Sequence, residues 1–595
     1  MASHFSSPFT AQTSTISTSA FCPTFPKTSQ LSACRNRNRN RNIPRVSCKT
    51  GDDDDLLSLN SATRRDVLIG LGGLSGATAL SDPSAFALPI SSPDFTNCGA
   101  ADLPTGAKPV NCCPPTATKI IDFKLPATPT QIRIRPAAHK LDGAYIAKFS
   151  KALELMKSLP DDDPRSFTQQ AHVHCAYCNG AYHQEGYPDL DLQIHNSWLF
   201  FPFHRWYLYF FEKILGKLIN DPTFAIPFWN WDAPAGMQMP AVYTPSGSPL
   251  YDAYRNQSHL PPTLLDLDYS SKKTPITDAD KLYASNLALM YRQMVTSPKT
   301  NTLFFGHPYR AGTAADPGAG TIETTPHTQL HIWCGDPRQP NGENMGNFYS
   351  AGRDPLFFAH HSNVDRMWNI WKKLKKRNKD ISDTDYLEST FAFYDENKNL
   401  VRVKVKDSLD SRKLGYDFQD VDIPWLKSKA TPKKSTTKVA MAFGQTKKAF
   451  AAETKKSVTP LVAFPLVLDK VITTKVARPN KSRTSQEKEE AEEILVIKDI
   501  VVERDVPAKF DVFINDEDES QTTPDNTEFA GSFVNVPHKH KGMNTLKTCL
   551  RLGITELLED LGADDDDEIV VTLVPRVGEG LITVGGLTTE LLEDL

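Results

Sequence analysis

Residues 354–368 read Asp-Pro-Leu-Phe-Phe-Ala-His-His-Ser-Asn-Val-Asp-Arg-Met-Trp. Their pattern predicts a helix over 355–375. Asp354 is placed to cap it, and Pro355 falls in the first turn, where its missing N–H costs nothing. Adjacent helical side chains diverge by about 100°, so normally only one of His360 and His361 can serve a given metal. Asp365 lies four residues beyond His361 on the same side, placed to orient a ring or a neighbour. Upstream, His327 and His331 are four apart and share a helix face. Farther upstream stand His174, with His172 as the competing ligand, then His195 and His204. The step from His195 to His204 would turn about 900° on one straight helix, which puts the two side chains on opposite faces. His195 therefore belongs to a loop, and His204 to the first turn after Pro202.

The chain has only 15 histidines in 595 residues, so six in two ordered groups is a strong signal. Neutral imidazole suits copper, zinc, iron and nickel, and six imidazoles with no obligatory carboxylate suggest two metals sharing one pocket. Zinc hydrolases usually add a carboxylate base beside the metal, and no His-Glu-x-x-His spacing occurs here. The pattern points to a redox metalloenzyme, and the flanking residues narrow the metal to copper.

Around this centre, residues 88–118 read as a proline-rich arm clipped down by cysteines. Helices are expected over 136–158 and, aromatic on every face and hence buried, over 203–219. Residues 226–232 form a rigid corner, 233–285 a long loop region, and the core closes near Tyr416 and Pro424-Trp425-Leu426. Lys-, Thr- and Ala-rich residues 427–457 read as an exposed, cleavable linker. Strand patterns at 461–468, 471–476, 494–502, 509–514 and 569–574 make 458–595 a small β domain. The charged run 480–493 is expected as a solvated loop, and His538-Lys539-His540 as an exposed one. The fold class is mainly α: a helical bundle core over 88–426 followed by a β-sandwich.

Residues 1–50 carry seven basic residues and no acidic one, amid many serines and threonines, the composition of an organelle transit peptide. Arg64-Arg65, an apolar stretch over 67–80 and Ala85-Phe86-Ala87 then follow in the order of a twin-arginine signal. Residues 1–87 thus read as a bipartite address for the chloroplast and then the thylakoid lumen. This leader holds nine basic and six acidic residues, so its loss takes the net charge from −4 to −7. No basic stripe suggests nucleic acid, and no apolar run reaches the ~18 residues of a membrane span. A soluble or peripherally thylakoid-associated protein is expected.

At both histidine groups the chain resembles the plant polyphenol oxidases (catechol oxidases) of the tyrosinase type-3 copper family. The likeness extends to the leader, the cysteine arm and Lys509-Phe510-Asp511-Val512. It implies one copper on His174, His195 and His204 and another on His327, His331 and His361, with His360 and Asp365 behind them and O2 as co-substrate. It further implies disulfides Cys98–Cys113 and Cys112–Cys175 and a Cys178–His195 thioether. In the family's terms Phe348 gates the entrance, Glu323 holds a water, and the C-terminal domain keeps the enzyme latent until a protease acts. The reaction implied is oxidation of catechols to ortho-quinones with reduction of O2 to water. Thr328 stands where an asparagine assists monophenol hydroxylation, and Ile332 adds no polar help, so small diphenols are the expected substrates. The alternatives are a dedicated monophenol hydroxylase or aurone-type synthase, an oxygen carrier, and a lumenal copper store. Tyr416-Asp417-Phe418 departs from the family's Tyr-x-Tyr, and the thiols Cys334 and Cys549 have no assigned place.

Overall fold

The computed structural model describes residues 88–117, 119–126, 131–271, 274–433, 462–516, 518–539 and 544–593. The expected leader, most of the expected linker and His540 lie outside them. Helices Gly143–Lys157, Phe167–Cys178, Phe200–Leu218, Ala279–Tyr291, Thr328–Cys334 and Leu356–Leu374 build the core. Among the described residues, no helix is long and apolar enough to cross a membrane.

Local chemistry sets the helix ends. The first starts at Gly143 rather than 136, because Asp142 accepts the Tyr145 N–H at 2.7 Å and residues 138–140 form a separate turn. The Asp354 carboxylate accepts the Leu356 N–H at 2.8 Å and opens the Leu356–Leu374 helix. The Phe200–Leu218 helix is buried on every side over Phe200–Glu212. Its charged members are paired: Glu212 meets Arg133 and Arg135, each at 2.9 Å. The corner at 226–232 is buried, and Trp229 N–H donates to the Ala359 carbonyl beside His360 at 2.9 Å.

The two longest helices are pinned together where they carry histidines. Asp365 accepts from Arg205 at 2.6 Å, from Arg135 at 2.8 Å and from the Tyr416 hydroxyl at 2.5 Å. Asp365 therefore fixes the residue next to His204, through two guanidiniums and a hydroxyl rather than an imidazole. Removing one partner from such a buried pair costs about 3–5 kcal/mol, far more than an exposed pair is worth. Phe418, where the family places a tyrosine, packs edge-on against Phe228 at 5.9 Å without needing a hydroxyl.

The C-terminal part is β-rich, with two antiparallel sheets. One joins Thr545–Gly553, Ala491–Glu503 and Gly586–Glu593, with the short strands Thr583–Val584 and Leu466–Val467. The other orders Phe529–Asn535, Ala508–Ile514, Glu568–Val577 and Ile472–Ala477. Leu495, Ile497, Phe510, Val512, Ile569 and Val571 fill its core. Two expectations change here. The run 480–493 is solvated over most of 480–490 but is not a loop throughout: Thr484 and Glu487 form a capping box on the Ser485–Glu490 helix, and Glu492 and Glu493 enter a strand. Both carboxylates are buried, Glu493 against Arg478 at 2.9 Å and Glu492 against Lys299 of the core at 3.2 Å. Residues 427–433 are not free linker either. Lys429 pairs with Asp560 at 2.9 Å, Thr431 bridges to Asn526, and Lys433 pairs with Asp516 at 2.8 Å.

Candidate metal centre

His174 lies on the Phe167–Cys178 helix, whose N-terminus Ser166 caps through the Gln169 N–H. His195 sits on the loop before the Phe200–Leu218 helix and His204 inside that helix. His327 ends a wide turn broken at Thr325, His331 lies on Thr328–Cys334, and His361 on Leu356–Leu374. The fold gathers them into two buried groups. His174, His195 and His204 form one; His327, His331, His360 and His361 form the other. Within each group the potential ligand atoms lie within 4.8 Å of one another. His172 is buried but belongs to neither group.

Backbone carbonyls orient the rings. Nδ1 faces a carbonyl in His174 (Phe348, 2.7 Å), His204 (Phe200, 2.8 Å), His327 (Glu323, 3.1 Å) and His331 (Met345, 2.8 Å). A carbonyl can only accept, so Nδ1 carries the proton and Nε2 presents its lone pair. Nε2 of His174, His195, His204 and His327 is buried with no protein partner, and those of His331 and His361 face each other at 3.2 Å. Burial, the largest cause in each case, pushes these imidazoles down: His174 to about 3, His331 to about 4, and the others well below the usual value. Neutral, convergent, unpartnered imidazole nitrogens are what a copper or zinc ion requires. His204 and His361 stack at 4.2 Å and 15°, which brings the two groups together. His360 stacks on His327 at 5.2 Å and 12°.

The remaining expected site residues lie around this double cluster. Glu323 accepts the Asn196 N–H at 2.6 Å through Oε1, while Oε2 is buried without a protein partner. Burial pushes its carboxyl well above the usual range, a shift that bound cations would oppose. The Thr328 hydroxyl donates to the Glu323 carbonyl at 2.8 Å. Phe348 stacks on His195 at 4.1 Å and 21°. Cys178, a buried thiol, ends the His174 helix. Gln193 ties the two loops: its amide donates to the Cys178 carbonyl at 3.2 Å, and its Oε1 accepts the His195 N–H at 3.0 Å. Cys98 is disulfide-bonded to Cys113 and Cys112 to Cys175.

His538 is not in an exposed loop. It is fully buried and stacks on the outer face of Phe348 at 4.9 Å and 23°. Arg504 Nη1 donates to its Nε2 at 2.9 Å, so the Nδ1–H donates to the Val536 carbonyl at 2.7 Å and the ring is neutral. The same guanidinium reaches Asp316 at 2.6 Å, and Asp316 accepts the Asn196 side-chain amide at 3.0 Å. Ile332 opens instead onto a cavity of about 260 Å³, walled on the far side by Pro507, Lys509 and Pro537 of the β domain. Arg504 and Asp316 escaped the sequence reading, and His538 was misplaced by it, because no spacing links a residue near 504 or 538 to one near 196.

A buried site of six or seven imidazoles in two facing clusters on a helical core, covered by a β domain, defines a dinuclear-metal class of protein. The model of the common central domain of tyrosinase matches residues 164–374. That of the polyphenol oxidase middle domain matches 380–431, and that of the chloroplastic polyphenol oxidase C-terminal domain 464–591. The chain is 58% identical over 552 residues to the chloroplastic polyphenol oxidase of Malus domestica, covering 92% of each. It superposes on latent apple tyrosinase with a TM-score of 0.74, at 58% identity, over 80% of this chain and 100% of that one. For a latent aurone synthase the TM-score is 0.77 at 42% identity, over 85% and 100%. The chain belongs to the plant polyphenol oxidases, copper-dependent oxidases of the tyrosinase family.

Proposed function

We propose that this chain oxidises ortho-diphenols to ortho-quinones, with reduction of O2 to water, at two coppers held by His174, His195, His204 and by His327, His331, His361. The observation that carries this is the pair of facing clusters, with Nε2 of His174, His195, His204 and His327 free of protein partners and those of His331 and His361 turned to each other. The copper pair, when bound, supplies the redox chemistry with O2. The chain supplies the rest. Phe348, stacked on His195, offers a flat wall for a phenolic ring. The carbonyls on Nδ1 keep His174, His204, His327 and His331 in the ligating tautomer. The buried helices exclude bulk water from the reacting oxygens.

Diphenol preference rests on Thr328. Its hydroxyl proton is already given to the Glu323 carbonyl, so it adds little to a base that must deprotonate a monophenol. Oxygen uptake by the enzyme freed of its C-terminal domain, across catechols, monophenols and chalcones, tests this. Catechols are expected to react much faster than matching monophenols, and Thr328→Asn to raise the monophenol rate selectively. Equal rates in the unmodified enzyme would contradict the preference. The similarity to an aurone synthase supports chalcones as the second reading, and fast chalcone turnover in the same panel would favour it.

A Cys178–His195 thioether is part of the proposal, supported by the Gln193 bridge between their two loops. It would hold His195 rigid beneath Phe348. Peptide mapping under reducing conditions should recover the two residues joined, since a thioether is not reducible; separate unmodified peptides would refute it.

Chloroplast residence follows from the similarity to chloroplastic oxidases together with the composition of 1–50, and the thylakoid lumen from the twin-arginine order in 64–87. We take 1–87 as the removed leader, 88–426 as the catalytic domain and 458–595 as the shield, with protease cleavage within 434–457.

A further inference from the structure

We propose that Cys549 is a covalent acceptor for the enzyme's own ortho-quinone product, and that the adduct holds the C-terminal domain away from the copper pocket. This rests on the quinone-forming activity proposed above. Cys549 belongs to a cluster with Arg551 and His307 that the oxidase chemistry does not use. Arg551 Nη1 lies 2.7 Å from the Cys549 sulfur and 2.5 Å from His307 Nε2, and the thiol donates to the Pro317 carbonyl at 3.3 Å. The cluster straddles the domain boundary: Cys549 and Arg551 are on the Thr545–Gly553 strand, His307 and Pro317 on the core.

The junction is tight. A methyl group on Gly318 would come within 3.2 Å of the Cys549 sulfur and 2.9 Å of His307 Cδ2. Gly318 N–H in turn donates to the Asn196 carbonyl at 2.8 Å, one residue after His195. This face of the strand is thus pressed onto the loop behind the first histidine group. The side of the sulfur that faces Gly318 and His307 has no room for a ring, so an adduct on that side opposes docking.

Reactivity follows the domain's position. Cys178 and Cys334 are buried, whereas Cys549 is partly exposed. While the domain is docked, burial pushes the Cys549 thiol up and Arg551 opposes that. Cys549 and Arg551 are two apart on one strand and share a face. When the domain lifts, the guanidinium travels with the sulfur while the desolvation is relieved, which favours the reactive thiolate. The sulfur then adds to a ring carbon of the quinone. One C–S bond forms while the S–H bond and the C–H bond of the attacked carbon break; the sulfur's electron pair reduces the ring to a catechol, with the thiol proton on one quinone oxygen and the ring proton on the other. No other oxidant or reductant takes part. Each lifted molecule is trapped open, so product accumulation activates the remaining latent enzyme.

The test uses the intact full chain treated briefly with chemically prepared 4-methyl-ortho-benzoquinone, which is then removed. The initial rate of oxygen uptake with 4-methylcatechol should rise roughly tenfold, the effect of a tenfold shift toward the lifted state. Peptide mapping should place the adduct on Cys549. Cys549→Ser should show no such rise, yet reach the wild-type rate once its C-terminal domain is removed by cleavage. Equal gains in both proteins, an adduct on Cys549 without a gain, or no adduct there would each overturn the proposal. If the cleaved, copper-loaded wild type fails to consume oxygen with 4-methylcatechol, the oxidase reading fails instead, whatever the adduct map shows.

Discussion

His331→Ala is expected to leave one copper per chain and to reduce catechol oxidation to background. The side chain is held from both ends: Nδ1 by the Met345 carbonyl at 2.8 Å, and Nε2 3.2 Å from His361 Nε2. Alanine removes one of three imidazoles from the second copper and leaves a gap no neighbouring donor is positioned to fill except His360. That neighbour makes the experiment informative. His360 shares the second cluster and stacks on His327 at 5.2 Å. If it only supports the ligands, His360→Ala should keep both coppers and lose about 10–100-fold in activity or affinity, the range for residues that orient ligands. His361→Ala, by contrast, should behave like His331→Ala. Metal analysis on protein loaded with copper under identical conditions distinguishes these. Two coppers in His331→Ala would show the assignment of this ligand to be wrong. Loss of a copper in His360→Ala, with both kept in His361→Ala, would exchange the roles of the adjacent pair.

The histidine clusters were readable because metal chemistry imposes residue types and spacings that packing alone does not. The Phe200–Leu218 and Leu356–Leu374 helices were readable because aromatic and apolar residues mark them. The Phe167–Cys178 helix was not, although it carries His174. Its polar and histidine side chains are buried by the site and give no clean apolar stripe. Asp365 shows the limit of one-dimensional reasoning. Its spacing from His361 suggested that it orients a ring or a neighbour, but not which: its oxygens go to three long-range partners, Arg135, Arg205 and Tyr416. The buried Glu492 and Glu493 illustrate the same point. Charged residues read as solvated unless their countercharges are known, and Lys299 and Arg478 are supplied only by folding. His538 was misread for the same reason, since nothing in its neighbourhood of the sequence announces Phe348 or Arg504.

Arg504→Ala should activate the intact chain without any cleavage. The C-terminal domain closes the site by laying His538 over Phe348, which itself covers His195. The ring on the gate is an imidazole, kept neutral and oriented by Arg504. Arg504 also carries the boundary's closest ion pair to the site, 2.6 Å from Asp316, whose other oxygen holds Asn196. Elsewhere Lys509 reaches Asp268 at 2.7 Å and Lys299 reaches Glu492 at 3.2 Å, so the domain remains attached when one pair is lost. Truncating one partner of a buried ion pair costs about 3–5 kcal/mol. That cost falls on the docked state alone, because in the lifted state Asp316 and His538 meet water. A bias of that size moves a docked–lifted equilibrium by roughly 10²–10⁴-fold. The activity of intact Arg504→Ala should therefore approach that of the enzyme freed of its C-terminal domain, and linker cleavage should add little to it. Cleavage of wild type alone should activate only as far as the severed domain departs or shifts, because the interface contacts outlive the covalent link. Far-ultraviolet circular dichroism and copper content would establish that the variant is folded and loaded. A folded, loaded Arg504→Ala that stays as latent as wild type would show that closure does not depend on this guanidinium, and that the apolar contacts of Phe513, Phe529 and Val536 with the catalytic core hold the domain shut.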